Sequence, residues 1–308
     1  MLTFDQLVEQ FHHRLDQLPD HRKGGNNTTY EMKDAALGAF AVFFTQSPSF
    51  LAHQKQMEDT KGQSNATTLF GMERTPSTPQ IRNLLDPVAP EEFYPVFGDI
   101  LASLEKEETL AQFRAIDDSL LVSLDGTQYF SSQKIKCDQC SQQRLNNGQT
   151  LYSHTVMTAV VVNPNLPHVL PLEPEFIRPQ DGHDKQDCEI AAAKRWVKRC
   201  GANYAAYKVT LLGDDLYAHQ PFCRLALKAN LNFIFVCKPD SHQKLYEWLD
   251  FLQAKPDEQL PTLTQRHWNG KFVEIWRYRY INQVPLRAGQ DALEVNWCEL
   301  TITREDTG

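Results

Sequence analysis

The middle of the chain alternates strands and helices in an order that few folds accommodate. Three stretches rich in β-branched and aromatic residues come first, with turn signals between them: SLLVSLDGTQYFSS, LYSHTVMTAVVVNP and HVLPLEPEFI. A helix, a strand, a helix and a strand follow, in the segments DKQDCEIAAAKRWVKRCG, YKVTLLGDD, AHQPFCRLALKAN and NFIFVCKPD. We expect the first helix to end at Gly201 and the second at Asn230. The sequence therefore predicts an α/β fold in which an antiparallel three-strand meander precedes helix, strand, helix and strand.

The residues on either side of this core have a different pattern. Residues 1–116 predict helices, as in TFDQLVEQFHHRL, where apolar residues recur at helical intervals after a Thr cap. Residues 241–308 alternate again, and FVEIWRYRYINQVPLR and EVNWCELTIT are typical strands of a further sheet. We therefore expect a helical region at 1–116, an α/β core at 117–240 and a β-rich region at 241–308.

Composition limits the compartment and the partners. The chain has 308 residues and begins without a secretory signal, and its longest apolar run, Ala35 to Phe44, is far shorter than the ~20 residues of a membrane span. Seven cysteines without a signal peptide favour a reducing cytoplasm and no membrane association. The formal charge of −8 argues against a protein that coats nucleic acid, but it allows a local basic groove.

Acidic residues stand at the ends of two predicted strands. Tracing the chain through the meander and the right-handed crossover makes the first and fourth strands parallel neighbours, with Asp125 toward the upper part of one and Asp214 and Asp215 at the end of the other. Carboxylates that meet at one edge repel unless a cation lies between them, and oxygen ligands favour Mg²⁺ or Mn²⁺. Taken alone, Asp214 and Asp215 are typical helix caps, and Asp125 with Gly126 is a typical turn. Their combination on parallel strands favours metal chemistry.

These segments resemble a known family. The element order, with LVSLDGTQYFSS and KVTLLGDDLYAHQPFC, is similar to the ribonuclease H-like core of DDE-type transposases of bacterial insertion sequences. LPDHRKGGNNTTYEMKDAALGAFAVFF and RTPSTPQIRNLLDPV resemble the helical N-terminal region of that family, and PEFIRPQDGHDKQDCEIAAAKRWVKR also fits. The resemblance covers essentially the whole chain and implies DNA binding by the helical region and a partial β-rich insertion at the C-terminus.

The resemblance implies two Asp and one Glu holding two Mg²⁺, hydrolysis at transposon ends and strand transfer into target DNA. Asp125 matches the first Asp, and the spacing to the aromatic Tyr217 favours Asp214 over Asp215 as the second. The Glu of the family lies on a helix after the insertion, and no matching pattern occurs here, because Glu274, Glu294 and Glu299 lie on predicted strands. We therefore expect a truncated chain that lacks this Glu and is inactive alone.

The same resemblance implies transposon ends and target DNA as partners, a homodimer in the synaptic complex and a location at the bacterial nucleoid. Two alternatives stay open. The alternatives to a transposase are a ribonuclease H-like DNA nuclease, which cuts DNA without joining it, and a catalytically silent DNA-binding remnant.

A cysteine pair indicates a second metal. Cys137 and Cys140 form a CxxC in the connection after the first strand, and His154 enters the second strand across the hairpin. Together with Cys188 they are candidate ligands of a structural Zn²⁺, and His183 lies nearby in sequence. The alternative is a pair of reduced thiols. The other four cysteines, in apolar patterns, are expected in the core.

Two groups of basic residues are candidates for contact with DNA phosphates. Lys194, Arg195, Lys198 and Arg199 recur on one helix face, and an ordinary solvated helix face is the alternative. In EIWRYRY, strand alternation places Arg277 and Arg279 on one face and the aromatic side chains on the other. Any exposed sheet with a packed back has the same pattern.

Overall fold

The structure, a computed structural model, describes residues 3–22, 29–58, 65–72, 74–179, 187–253 and 260–305. The chain divides into two compact units. The first comprises Met1–Phe113 with Pro171–Glu173, and the second comprises Arg114–Leu170 with Pro174–Gly308. Across the described ranges, every helix is too short or too polar to cross a membrane.

The first unit is helical, as predicted. Its helices are α1 (Phe4–Leu15), α2 (Met32–Phe44), α3 (Phe50–Glu58), α4 (Asn65–Phe70), α5 (Thr78–Leu85) and α6 (Tyr94–Lys106), with 3-10 turns at Pro90–Phe93 and Thr109–Phe113. Thr3 begins α1 with a capping box, because its hydroxyl accepts the Gln6 N–H while the Gln6 side chain accepts the Thr3 N–H. The apolar α2 is buried along most of its length, and α1, α4 and α5 contribute to the same core.

The second unit is built on a seven-stranded mixed sheet. Its strands are β1 (Leu120–Ser132), β2 (Ser141–Arg144), β3 (Thr150–Val162), β4 (Leu170–Pro171), β5 (Glu175–Ile177), β6 (Val209–Gly213) and β7 (Asn232–Phe235). The order is β2-β3-β1-β6-β7, and β4 and β5 also pair with β3. β3 is antiparallel to β1, β2 and β5, whereas β1, β6 and β7 are mutually parallel. The predicted meander and the parallel pairing of the first and fourth strands are confirmed.

Two helices connect these strands, α7 (Glu189–Ala205) and α8 (Gln220–Lys228). α7 buries Ala193, Trp196 and Cys200. The predicted end of this helix at Gly201 is wrong, because α7 continues through that residue. A Cβ at Gly201 would lie 3.2 Å from the Ala229 Cβ, so glycine serves close packing there rather than a helix end.

The C-terminal part of the second unit contains α9 (Gln243–Gln253) and a separate antiparallel sheet of β8 (Thr262–Trp268), β9 (Val273–Pro285) and β10 (Glu294–Arg304), in the order β10-β9-β8. The strands predicted at β9 and β10 are confirmed. Trp297 packs with Leu245 and Leu249 of α9 in a shared core. The sequence analysis missed α9 and β8; every residue of β8 is exposed, so the strand carries no alternation that marks a buried face.

Candidate functional site

The register of β1 and β6 places two acidic residues side by side. The parallel ladder runs from Leu120 opposite Val209 to Ser123 opposite Leu212. Extended by two residues, this register would place Asp125 opposite Asp214, which directly follows the end of β6 at Gly213. Asp125 lies near the middle of β1 rather than toward its upper end, because the strand continues to Ser132 beyond its partner β6. Both acids are exposed at this edge of the parallel strands.

A third carboxylate, that of Glu189, joins this edge from the first residue of α7. Its side chain lies directly over Gly126, where an added Cβ would lie 2.0 Å from Glu189 Oε2 and 2.6 Å from Cδ. Only glycine leaves room for this approach. Gly126 therefore has a packing role next to Asp125 rather than a turn role, and β1 runs straight through it.

Tyr217 connects the three acids. Its hydroxyl donates a hydrogen bond to Glu189 Oε1 at 2.5 Å, and its side chain is 1% exposed. Burial raises the pKa of Tyr217, and the hydrogen bond and charge of Glu189 and the charges of Asp125 and Asp214 raise it further. The hydroxyl of Tyr217 therefore stays protonated, and its hydrogen bond fixes the position of Glu189.

Gly213 makes room for this tyrosine. A Cβ at Gly213 would lie 2.6 Å from Tyr217 Cδ2 and 3.3 Å from Phe235 Cδ1. The ring therefore packs against the end of β6, directly before Asp214. Each of the two aspartates thus has a glycine as its chain neighbour, and each glycine accommodates one member of the Glu189–Tyr217 pair.

The structure separates the two adjacent acids after β6. Asp215 accepts hydrogen bonds from the Lys238 N–H at 2.7 Å and from the Ser241 hydroxyl at 2.6 Å, and it lies 3.3 Å from His242 Nδ1. Burial opposes ionisation of Asp215, but these hydrogen bonds outweigh it and lower the pKa of the carboxyl. Asp215 therefore fastens the loop after β6 to the loop after β7, and its role as a metal ligand stays a prediction.

Asp214 has the exposed position. One of its carboxylate oxygens accepts the Leu216 N–H at 2.9 Å, which is a local turn contact. The choice of Asp214 over Asp215 as the partner of Asp125 therefore agrees with the register. Asp125, Asp214 and Glu189 do not bring their carboxylate oxygens within 4.8 Å of one another in the described structure.

The sequence does not single out Glu189, and the prediction that the chain lacks the glutamate of the family stays a prediction. The structure places Glu189, the first residue of α7, over Gly126 and thus beside Asp125. Two features of the sequence agree with this position. Gly126 follows Asp125 inside a strand, and an internal strand glycine is typical of a close approach by another group. Glu189 opens the helix that crosses the sheet.

Three of the four predicted zinc ligands come together. The Cys137 and Cys140 sulfurs are 3.7 Å apart and lie 3.3 and 3.4 Å from His154 Nε2. Cys188 is exposed at the N-cap of α7 and is not part of this cluster, so its predicted place as fourth ligand is wrong. His183 lies outside the described residues.

The basic helix face divides into two pairs. Arg195 donates to both Asp187 oxygens and to Glu175 Oε1, and Arg199 Nη1 lies 2.7 Å from Glu175 Oε2. These two arginines therefore tie α7 to β5 and to the residues before the helix. Lys194 and Lys198 have no such role in the described contacts, and Lys198 is exposed.

The two arginines of β9 also differ. Arg279 donates to Glu299 on the neighbouring strand β10, with Nε at 2.7 Å from Oε2, whereas Arg277 is exposed. The predicted cysteine core is confirmed for Cys200 and Cys223, but Cys298 is exposed.

Comparisons with family models and with curated proteins identify no family for this chain. No protein-family model matches it, and no curated protein matches it. The carboxylate edge and the cysteine–histidine cluster must therefore be interpreted from their own chemistry.

Proposed function

We propose that this protein carries out metal-dependent phosphodiester chemistry on DNA, as a DDE-type transposase of a bacterial insertion sequence with a ribonuclease H-like core. One observation carries the proposal: Glu189 at the start of α7 is hydrogen-bonded to the buried Tyr217, whose hydroxyl also feels the charges of Asp125 on β1 and Asp214 after β6. The change from an antiparallel meander to parallel strands at β1 supports the fold assignment, because it matches the element order of the resemblance.

The donor set of this edge suits a hard divalent cation. All three side chains offer carboxylate oxygens, which Mg²⁺ and Mn²⁺ prefer. Asp125, Asp214 and Glu189 would hold the metal, and Asp215 would not, because Ser241 and Lys238 occupy its oxygens. When bound, the metal activates a water or hydroxyl and stabilises the leaving oxygen of a phosphodiester.

The residues around the three acids keep them in place. Asp125 is fixed by its strand, where its backbone oxygen accepts the Thr158 hydroxyl at 3.2 Å. Glu189 is fixed by the buried Tyr217, which stays protonated because its pKa is raised. The backbones of the three acids are therefore held in place, and their carboxylates would rotate toward one another when a metal binds.

A DNA nuclease of the same fold is the second candidate. The position of Glu189 favours it, because the three acids lie within the α/β core and do not depend on a glutamate from the β-rich region. The resemblance of the N-terminal segments favours the transposase. The two functions differ in one product, since a transposase joins the freed 3′ end to a second DNA and a nuclease does not.

The test combines metal binding and DNA cleavage. Wild-type protein, Asp125→Asn, Asp214→Asn, Glu189→Gln and the control Asp240→Asn, an exposed acid of the same unit, are titrated with Mn²⁺ and followed by the EPR signal of free Mn²⁺. The same proteins are incubated with plasmid DNA and Mn²⁺, and with DNA flanking the gene as donor for strand transfer. We expect the three site variants to lose binding and cleavage while the control keeps both.

The outcomes separate the candidates. Joined products support the transposase, and cleavage without joining supports the nuclease. Cleavage by Asp125→Asn and Asp214→Asn at the wild-type rate would refute the site. DNA binding with neither Mn²⁺ binding nor cleavage would leave the catalytically silent remnant as the correct interpretation.

A further inference from the structure

The connection between β1 and β2 holds a second ligand cluster that the carboxylate chemistry does not use. Cys137 and Cys140 lie in this connection, and His154 lies on β3 opposite Phe130. Each of these three side chains offers one ligand atom, and the three atoms lie within 4.8 Å of one another. Among the described residues, they form the one cluster of possible metal ligands that is this tight. The cluster therefore joins a loop to the strand beside it.

The distances in the cluster match those of a tetrahedral zinc site. Zinc bonds of about 2.3 Å to sulfur and 2.0–2.1 Å to nitrogen, at tetrahedral angles, place two sulfurs about 3.8 Å apart and a sulfur and a nitrogen about 3.5–3.6 Å apart. The observed separations are 3.7 Å between the sulfurs and 3.3 and 3.4 Å from the sulfurs to His154 Nε2. A disulfide would need sulfurs about 2.05 Å apart.

The loop backbone holds the two cysteines together in a tight turn. The Cys140 N–H donates to the Cys137 carbonyl at 3.2 Å, which closes the turn, and the Cys137 N–H donates to Cys140 Sγ at 3.3 Å. The turn therefore keeps both sulfurs within reach of His154 Nε2.

Two aromatic side chains of β1 set the orientation of the His154 imidazole. The His154 ring stacks on Tyr129 with centroids 5.8 Å apart and planes inclined by 15°, and it also contacts Phe130. Both aromatic residues belong to β1, whose ladder with β3 fixes their positions. Nε2 therefore faces the two sulfurs because of strand packing.

We propose that Cys137, Cys140 and His154 bind one Zn²⁺ ion as a structural site with three protein ligands and a fourth position open to solvent or to a ligand outside this set. Thiolate and imidazole ligands select zinc over magnesium, so this site and the carboxylate edge take different metals. The site is independent of the proposed function, because none of its residues belongs to the carboxylate edge.

The role of the ion follows from the strand geometry. β1 continues from Asp125 to Phe130, which is about 16 Å at 3.3 Å per residue, and over this length it pairs with β3 but not with β6. The zinc links the loop after β1 to His154 on β3, and β3 also pairs with β5 through Thr155–Met157 and with β2 through Thr150–Ser153. The ion therefore fixes the position of this loop against the part of the sheet that extends beyond the acids.

The test measures zinc in protein purified under reducing conditions without a polyhistidine tag. We expect about one equivalent of zinc per chain by elemental analysis and native mass spectrometry, resistant to a weak chelator. Cys137→Ser is the main variant, because Cys137 is exposed and its substitution leaves the buried packing unchanged. His154→Asn is the second variant, and both should lose the metal while circular dichroism remains that of the wild type.

Cys188→Ser and Cys298→Ser are matched controls, since both replace exposed thiols outside the cluster, and both should keep one zinc. Replacement by Co²⁺ should give the sulfur-to-cobalt charge-transfer band of a thiolate site in the wild type and the controls only. Zinc removal should speed amide exchange in residues 128–156 but not in β6.

Less than about one-tenth of an equivalent of zinc in reduced wild-type protein would overturn the proposal. A disulfide between Cys137 and Cys140 in the metal-free protein as purified would do the same. Loss of zinc in Cys188→Ser would overturn the three-ligand assignment and restore Cys188 as a ligand.

Discussion

Replacing Gly126 by alanine tests whether Glu189 belongs to the carboxylate edge. The added Cβ would lie 2.0, 2.6 and 3.1 Å from Oε2, Cδ and Cγ of Glu189. All three atoms belong to one flexible side chain, so the strand and the helix can stay in place while the carboxylate rotates away. The hydroxyl of Tyr217 then loses its acceptor in a buried position.

The expected cost combines two effects. An unpartnered buried hydroxyl destabilises a protein by about 1–3 kcal/mol. Alanine in place of glycine restricts the unfolded chain, which raises the free energy of unfolding by about 0.4–1 kcal/mol. The free energy of unfolding of Gly126→Ala should therefore fall by about 1–2 kcal/mol, and its affinity for Mn²⁺ should fall with the displacement of one ligand.

Urea unfolding of a double-mutant cycle measures this reasoning. Tyr217→Phe removes the hydroxyl that Gly126→Ala leaves without a partner, so the two changes together should cost about 1 kcal/mol less than the sum of the single costs. Gly98→Ala is the control, because nothing lies within 4 Å of its added Cβ on α6, and it should gain up to about 1 kcal/mol. Wild-type stability and wild-type Mn²⁺ affinity in Gly126→Ala would refute the position of Glu189.

Three further predictions concern Asp215, Arg195 and Arg277. Asp215→Asn should destabilise the protein at neutral pH. The pKa of Asp215 is lower in the folded protein than in the unfolded chain, where it is about 4. The wild type should therefore have the higher free energy of unfolding above pH 4, and its advantage over the variant should vanish as the pH falls through the folded-state pKa. Urea unfolding at several pH values measures this. Arg195→Met should cost about 2–3 kcal/mol in thermal or urea unfolding, because Asp187 and Glu175 are 1% and 8% exposed, whereas Lys198→Met on the same helix should change stability by less than about 0.5 kcal/mol; equal effects of the two would contradict the division of the basic face. Arg277→Ala should weaken DNA binding and reduce its salt slope by about one without loss of stability, and an unchanged slope would remove Arg277 from the DNA-contacting surface.

Much of the second unit is predictable because its order of elements fixes strand directions. A meander followed by a right-handed crossover makes β1 and β6 parallel, and this alone brings Asp125 and Asp214 to one edge. The periodicity of α7 is equally clear in the sequence. The C-terminal end of α7 is not clear in the sequence, because Gly201 packs against Ala229, and this contact depends on the next helix and loop.

The choice between the two acids after β6 shows where sequence reasoning reaches its limit. Asp214 and Asp215 are chemically identical neighbours, and the residue that distinguishes them, Ser241, is 26 positions further along the chain. Only the packing of the loop after β7 brings its hydroxyl to Asp215. The same holds for Arg195, whose partners Glu175 and Asp187 are visible as charges in the sequence but not as its neighbours.

The glycines beside the aspartates indicate that the carboxylate edge is one structural unit rather than a set of separate acids. Gly126 follows Asp125 and leaves room for Glu189, and Gly213 precedes Asp214 and leaves room for Tyr217. A hydrogen bond joins Tyr217 to Glu189. A glycine inside a strand weakens it, so two of them next to the two acids carry a cost that the strands alone do not explain. The close approach of a carboxylate and of the hydroxyl that fixes it does explain both. The pattern Asp-Gly on one strand and Gly-Asp at the end of its parallel neighbour therefore indicates that side chains of other elements reach in beside the two acids, as Glu189 of α7 and Tyr217 do.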